Sequence, residues 1–242
     1  MLPSMALRSW ISAALDLLYP GRCLLCGEEL RFESRVFSPV CSACLGSLQP
    51  VRASRRCRIC SLPLISERVV CTRCRGRQYA FERNLSIFEY RGAVRELLYQ
   101  FKFRDRLRLG RVLADFFAAA LQAPVDAGLL VPVPGNPLSV RARGWDPMVV
   151  IAGVLAGACG FPVRRLLSRR PGAAQKSLSY EERRSNLAGR LWLLQPPPAG
   201  TGRVTLLDDV FTTGATASEC ARVLAAAGVP SVEVLSLAID VP

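Results

Sequence analysis

From about Asn84 onward the apolar positions switch between a period of two and a period near 3.6, which predicts alternating strands and helices. Leu85 to Tyr90 alternates and reads as a strand. Val94, Leu97, Leu98 and Phe101 fall at i, i+3, i+4 and i+7 on one helical face. Leu109, Val112, Leu113, Phe116, Phe117, Ala120 and Leu121 continue that spacing in a second helix. Gly128 to Val133 is a buried apolar strand running into a Pro-Val-Pro-Gly-Asn-Pro loop. Met148 to Cys159 predicts an apolar helix ended by Gly160, and Ser179 with Glu182 forms a capping box for a helix that follows. Leu191 to Leu194 reads as a strand, Gln195 to Gly202 as a proline-rich surface loop, and Val204 to Leu207 as a buried strand. Ala217 to Ala227 is a helix that Gly228 closes and Pro230 prevents from continuing, and Val232 to Ile239 is the last strand. Strands alternating with helices predict an α/β domain over residues 84–242, a parallel sheet with helices on both faces.

Before residue 84 this patterning is absent. The first 22 residues resemble a secretion signal only superficially, because Asp16 breaks the apolar run and no small-residue cleavage site precedes the cysteines. They read as a short amphipathic helix, and the chain as cytoplasmic. Apolar runs such as Met148 to Leu155 are too short to cross a bilayer, so no membrane span is expected. With 242 residues, half of them hydrophobic, the chain has material for one good-sized domain plus a small one.

Residues 23–78 are organised by cysteine instead. Eight of the ten cysteines form four pairs, Cys23-x-x-Cys26, Cys41-x-x-Cys44, Cys57-x-x-Cys60 and Cys71-x-x-Cys74. Two intervening residues let both sulfurs of a knuckle converge on one metal, and two knuckles complete a tetrahedron. Disulfides would need an oxidising compartment. Ferredoxin-type clusters use closer spacing than the fourteen and ten residues between these pairs. The pattern therefore predicts a double zinc ribbon with two structural Zn2+ ions. Sequential pairing (23/26/41/44 and 57/60/71/74) is favoured over an interleaved cross-brace because each half closes a short loop. Cys159 and Cys220 sit alone among Ala, Val and Leu and read as packed core residues.

Charge and composition then narrow the chemistry. The formal net charge is +13, with Arg far outnumbering Lys. Eight thiolates on two zinc ions would lower it to about +9, still a basic protein suited to polyanionic partners. There is no histidine, which removes every imidazole base and every zinc site with a histidine ligand.

The most informative segment is Val204 to Thr216, VTLLDDVFTTGAT. The strand brings Asp208 and Asp209 to its carboxyl end, where open α/β sheets bind ligands. Thr212, Thr213, Gly214, Ala215 and Thr216 follow, then a helix. Hydroxyls, a glycine turn and a helix N-terminus favour a phosphate dianion. The adjacent carboxylates would repel bare phosphate but accept hydrogen bonds from ribose hydroxyls. One ligand with both features is a ribose 5-phosphate, as in phosphoribosyl pyrophosphate (PRPP). Mg2+ between ribose oxygens and pyrophosphate would complete the charge balance.

VTLLDDVFTTGAT resembles the signature of type I phosphoribosyltransferases. The whole chain is similar to the ComF family, which joins an N-terminal double zinc ribbon to such a domain. The resemblance runs through the CxxC pairs, Phe101-Lys102-Phe103, Val131-Pro132-Val133-Pro134, Arg141-Ala-Arg143-Gly144 and Gln175 to Asn186 to the phosphate loop. It implies that Asp208 and Asp209 hold the ribose hydroxyls and that Thr212 to Thr216 cradle the 5-phosphate. It also implies that the Pro134 to Pro137 turn lies near the pyrophosphate, with Arg141 and Arg143 as cationic partners, and that Gln175 to Arg183 is a mobile segment near the site. One departure is clear. The family commonly continues with Phe-Asn-Gln where this chain has Trp145-Asp146-Pro147, which puts a negative charge in place of an amide and removes a backbone donor.

Two uses of such a site remain open. One is an active phosphoribosyltransferase, whose catalysis by charge stabilisation and alignment needs no histidine but whose acceptor has no visible selector. The other is a binding module that keeps the PRPP site. For that module the resemblance implies a role in natural competence and DNA uptake, handling single-stranded DNA alongside a helicase partner. Arginine clusters at 52 to 58, 73 to 77 and 104 to 111 supply phosphate contacts, with Tyr79, Phe81, Phe101 and Phe103 the nearest aromatics for base stacking.

Overall fold

A computed structural model describes residues 21–30, 38–51, 55–66, 69–121, 128–171, 187 and 189–241. The expected N-terminal helix, the Ser179–Glu182 capping box and all of Gln175 to Asn186 lie outside them.

The sheet is built from β1 (Asn84–Glu89), β2 (Leu129–Pro132), β5 (Arg203–Phe211) and β6 (Ser231–Ile239), all parallel, in the order β1-β6-β5-β2. Strands covered on both faces need continuous apolar runs, and β6 is buried from Val232 through Ile239. The edge strand β1 alternates instead, and residues 49–51 run antiparallel along its outer side, with the Val51 N–H donating to the Ile87 carbonyl at 3.0 Å. This contact occupies a sheet edge that would otherwise offer unpaired donors.

One face carries α2 (Gly92–Phe103), α3 (Leu109–Leu121) and α5 (Pro147–Cys159). Val94, Leu97, Leu98, Phe101, Leu113, Phe117, Ile151 and Leu155 pack there on Leu207, Leu235 and Leu237. The other face carries α6 (Ala215–Ala226), whose Ala217, Cys220, Ala221 and Leu224 share a core with Val131, Leu206 and Val234. Parallel strands with helices on both faces follow from the chain's alternating periods. Cys220 is fully buried, as its apolar neighbours imply, and burial pushes its thiol pKa up.

Three elements depart from the sequence reading. β5 runs to Phe211, so Asp208 and Asp209 lie within the strand rather than beyond it. Leu191 to Leu194 is a strand, but β4 (Leu191–Leu193) pairs antiparallel with β3 (Leu167–Arg169) outside the main sheet. A short helix, α4 (Pro137–Arg143), follows the β2 loop. It buries none of its residues, so no apolar stripe announces it; Asn136 caps it by accepting from the Leu138 N–H at 3.1 Å.

The cysteine segment packs on this framework. A one-turn helix, α1 (Ser42–Gly46), starts at Cys41. The second pair of knuckles shares the core beneath α6, where Cys57, Cys60, Cys71 and Cys74 are all buried. Its seam with β1 is polar and paired except at Asn84 Oδ1. The Asn84 side-chain amide donates to the Cys60 carbonyl (3.0 Å) and to Ser86 Oγ (2.8 Å), and Ser61 Oγ donates to the Asn84 carbonyl (2.6 Å). Among the described residues, no helix is long and apolar enough to cross a membrane.

Candidate functional site

Four sulfurs from Cys23, Cys26, Cys41 and Cys44 lie within 4.8 Å of one another, as do four from Cys57, Cys60, Cys71 and Cys74. The pairing is therefore sequential, as short-loop closure favours. A Zn–S bond of about 2.3 Å sets the edges of a tetrahedron near 3.8 Å. The Cys26–Cys41 and Cys60–Cys71 sulfurs are 3.7 and 3.6 Å apart. Backbone amides of Leu25 and Cys41 point at Cys23 Sγ (3.4 and 3.3 Å), the donors a metal-bound thiolate needs. All ten cysteines are free of disulfides. The donor sets fit two closed, structural Zn2+ centres. The first has one solvent-exposed ligand, Cys26, whereas the second is buried throughout.

The carboxyl ends of β2 and β5 are neighbours, Pro132 being paired with Leu207, and the Val133 N–H donates to the Leu207 carbonyl at 2.9 Å. Their loops therefore enclose one crevice, a cavity of about 270 Å3 lined by Gly135, Asn136, Arg143, Asp146, Arg169, Asp208, Asp209 and Thr216 among others. A larger groove of about 990 Å3 adjoins it, lined by Tyr99, Lys102, Phe103, Asp209 and Thr212.

The two acids differ in environment. Asp209 Oδ2 lies 2.5 Å from Lys102 Nζ, and the pair is largely shielded from water, with side-chain exposures of 23% and 18%. Asp208 accepts the Asp209 N–H at 2.9 Å. Burial, reinforced by the neighbouring Asp209 charge, pushes its carboxyl up to about 7, with Lys102 and Arg169 pulling the other way.

In the turn that follows, Gly214 takes φ 79°, the left-handed conformation that leads into α6. Thr216 lies in the first turn of α6 and lines the crevice. Thr213 Oγ1 accepts from the Ala215 N–H at 3.4 Å, and Ala215 itself is buried. The turn is braced by the second zinc module. Arg73 donates to the Thr212 carbonyl (3.0 Å) and the Asp240 carbonyl (2.9 Å), and Tyr79 Oη donates to the Thr213 carbonyl (3.2 Å). Tyr79 Oη also lies 3.9 Å from Cys74 Sγ.

The two arginines expected near the pyrophosphate part company. Arg143 lines the crevice, but its Nε donates to the Lys102 carbonyl at 2.6 Å and its guanidinium lies over Phe103 and Trp145. Arg141 is exposed on α4, outside the crevice lining. A third arginine takes the interior position. Arg169, from β3, faces the crevice with its Nε buried and without a hydrogen-bond partner, and burial lowers its pKa. Sequence reasoning missed it, because one arginine among so many carries no local signal. Lys102 was visible only as part of Phe101-Lys102-Phe103.

The Trp145-Asp146-Pro147 departure is structural. Asp146 caps α5, its Oδ1 accepting from the Met148 N–H and its Oδ2 from the Gly135 N–H, both at 3.0 Å. The carboxylate thus ties α5 to the β2 loop. Pro147 stands at the first helical position, where a backbone donor has no intrahelical acceptor. Trp145 packs on Phe101 with centroids 4.9 Å apart.

Fold and site together define a class: an α/β protein with a crevice lined by carboxylates, arginines and a threonine at the carboxyl ends of a parallel sheet, joined to two four-cysteine metal centres. The double zinc ribbon domain family matches residues 14–75. DNA utilization protein YhgH of Salmonella typhimurium is 30% identical over 229 residues, covering 91% of this chain and 98% of that protein. Competence protein ComFC of Streptococcus pneumoniae is 26% identical over 231 residues, covering 89% and 99% respectively. The chain belongs to the ComF family of competence and DNA utilization proteins. Among solved structures, a mutant hypoxanthine phosphoribosyltransferase from Trypanosoma cruzi in a ternary substrate complex aligns at 13% identity. Its TM-score is 0.30, with 57% of this chain and 67% of that one covered. That alignment is too loose to bear on the site.

Proposed function

We propose that this protein binds a ribose 5-phosphate group, that of PRPP foremost, in the crevice between β2 and β5, and that it serves DNA uptake and utilization as a cytoplasmic, zinc-stabilised module. The observation that carries the ligand reading is the convergence of Asp208, Asp209, Thr216 and Arg169 on one crevice. Two carboxylates suit vicinal hydroxyls, while the Thr212 to Thr216 turn and the α6 N-terminus suit the phosphate. Arg169, more than Arg141 or Arg143, is placed to meet a further anionic group. Of the three carboxylates lining the crevice, Asp146 is engaged by backbone amides and Asp209 by Lys102. That leaves a poor cage for a protein-bound cation, so Mg2+ would arrive on the ligand's own oxygens. The names of the relatives, a DNA utilization protein and a competence protein, support the DNA half of the reading; single-stranded DNA and a helicase are the partners this proposal adds.

Calorimetry with PRPP and with ribose 5-phosphate, with and without Mg2+, tests the ligand. Saturable heat in the wild type that disappears in the Asp208→Asn, Asp209→Asn double variant is expected. No heat with either ligand removes the proposal.

An active transferase is the second reading, favoured by the roughly 990 Å3 groove that opens beside Asp209 and Thr212 and has room for an acceptor. Pyrophosphate release from PRPP across purines, pyrimidines and orotate decides between a transferase and a binding module.

A further inference from the structure

The sequence offers three arginine clusters for nucleic acid, and the structure separates them. In the first, Arg56 points its guanidinium at the Val51 carbonyl, and burial lowers its pKa. In the second, Arg73 is engaged by the Thr212 and Asp240 carbonyls, and of the nearby rings Phe81 is buried while Tyr79 braces the phosphate turn. Phe101, beside the third cluster, is fully buried in the core. Among the described residues, only the third cluster lies beside exposed rings.

Those rings belong to the outer stripe of α2. Arg95, Tyr99 and Phe103 recur every four residues, opposite the buried face of Val94, Leu97, Leu98 and Phe101. Tyr99 is 44% exposed and Phe103 59%, with centroids 5.4 Å apart and planes tilted by 35°. Cations flank both: the Arg104 guanidinium is 5.8 Å from the Tyr99 centroid and that of Arg143 is 5.5 Å from Phe103. Arg104, Arg106 and Arg108 are exposed in the turn just beyond the helix. Acidic groups on this wall are few and already engaged. Glu96 accepts from the Gln100 amide at 2.6 Å, and Asp105 from the Trp145 indole N–H at 3.3 Å.

We infer that this outer face of α2 is a track for a single strand of nucleic acid, on which two unpaired bases stack on Tyr99 and Phe103 while Arg104 and Arg106 hold the adjoining phosphates. Charge complementarity selects a polyanion, and rings about half exposed to solvent select one whose bases are free. Paired bases in a duplex cannot reach the rings. The rings form the near wall of the groove whose far wall is Asp209 and Thr212, and Phe103 also borders the sugar-phosphate crevice, so a bound strand runs along the groove to the edge of that crevice. This inference rests on the DNA half of the proposed function and is independent of PRPP.

Fluorescence anisotropy with a labelled single-stranded DNA of mixed sequence, and with the same strand as a duplex, tests it. Tyr99→Ala, Phe103→Ala should weaken single-strand binding about tenfold or more, with an unchanged slope of log affinity against log salt. Tyr99→Phe, Phe103→Tyr should retain affinity. Arg104→Gln, Arg106→Gln should flatten the slope by about one unit. Zinc content and melting temperature report that each variant is folded, which the exposure of these side chains favours. Equal affinity of the alanine variant and the wild type overturns the track and leaves DNA binding standing elsewhere; so does a duplex that binds as tightly as the single strand. A wild type that binds no single strand at all sinks the DNA reading itself.

Discussion

Lys102 Nζ sits 2.5 Å from Asp209 Oδ2, so the second of the two adjacent acids is neutralised from α2 before any ligand arrives. The pair links the helix that carries the outer aromatic stripe to the strand that carries the crevice. It also sets what the neighbouring Asp208 must bear, since among the described residues no cation forms an ion pair with Asp208.

Removing the lysine tests this link. The pair is mostly shielded, so its rupture should cost more than the 0–1 kcal/mol of a surface pair and less than the 3–5 kcal/mol of a fully buried one, or about 2 kcal/mol. Lys102→Met should therefore lower the melting temperature by several degrees. Asp209→Asn in the same background should restore part of the loss, because it removes the orphaned charge. Additive effects of the two substitutions in denaturant melts would mean the pair has no energetic role.

Asp208 gives the site a pH dependence of known sign. Its carboxyl is held at about 7 in the folded chain against an ordinary 3.8, so between those values the folded state keeps a proton that the unfolded state has lost. Stability from this group is complete below about pH 4 and falls as pH rises to 7. Asp208→Asn removes that loss, so the variant should gain on the wild type as pH increases, by at most about 4 kcal/mol at pH 8. Ligand affinity should move oppositely, rising through the same window as the carboxylate ionises to accept hydroxyl donors. Melting curves at pH 5 and pH 8 with a constant difference between the two proteins would contradict the assignment.

The second zinc centre should control the phosphate turn, and the first should not. Arg73 and Tyr79 reach the Thr212 and Thr213 carbonyls from the chain around Cys71 and Cys74. Tyr79→Phe deletes one neutral hydrogen bond, worth about 1 kcal/mol, and should weaken ribose 5-phosphate binding roughly fivefold. Arg73→Met should weaken it further. Cys44→Ser, at the more exposed first centre, should lower zinc content without changing ligand affinity. Calorimetry beside metal analysis on the same samples reads both, and equal losses from the two centres would argue against a local brace.

What could be read from the chain alone was what is local in it. Cys-x-x-Cys spacing encodes its own knuckle, and Asp208 to Thr216 spans one strand end, one turn and one helix start, so the local structure of each could be read without a partner. The sheet was equally legible, because β5 and β6 are buried on both faces and their apolar runs say so. The rest of the site comes together through the fold. Arg169 arrives from an antiparallel pair outside the sheet, Lys102 from a helix on one face, and Tyr79 from the metal module on the other. Asp146 shows the converse. Its charge looked misplaced against the family pattern, yet it caps a helix and holds the Gly135 amide, two contacts that no spacing rule reveals.

Gly214 offers the sharpest test of the phosphate turn, since two separate costs fall on one atom. At φ 79° any added Cβ meets the left-handed penalty of about 1–2 kcal/mol. Here it would also lie 2.7 Å from Phe211 Cζ and 2.9 Å from Tyr79 Cε1, rings packed beneath the turn. Gly144, at φ 85° with nothing within 4 Å of its Cβ position, carries the backbone penalty alone. Gly144→Ala should thus cost about 1 kcal/mol and leave ligand binding intact. Gly214→Ala should cost at least about 2 kcal/mol and abolish detectable binding of ribose 5-phosphate, because relieving the contacts swings the turn's N–H groups away from the crevice. Denaturant melts give the first comparison and calorimetry the second. Matching losses in both variants would mean that Tyr79 and Phe211 yield freely, and that the turn is held by something other than the zinc module beneath it.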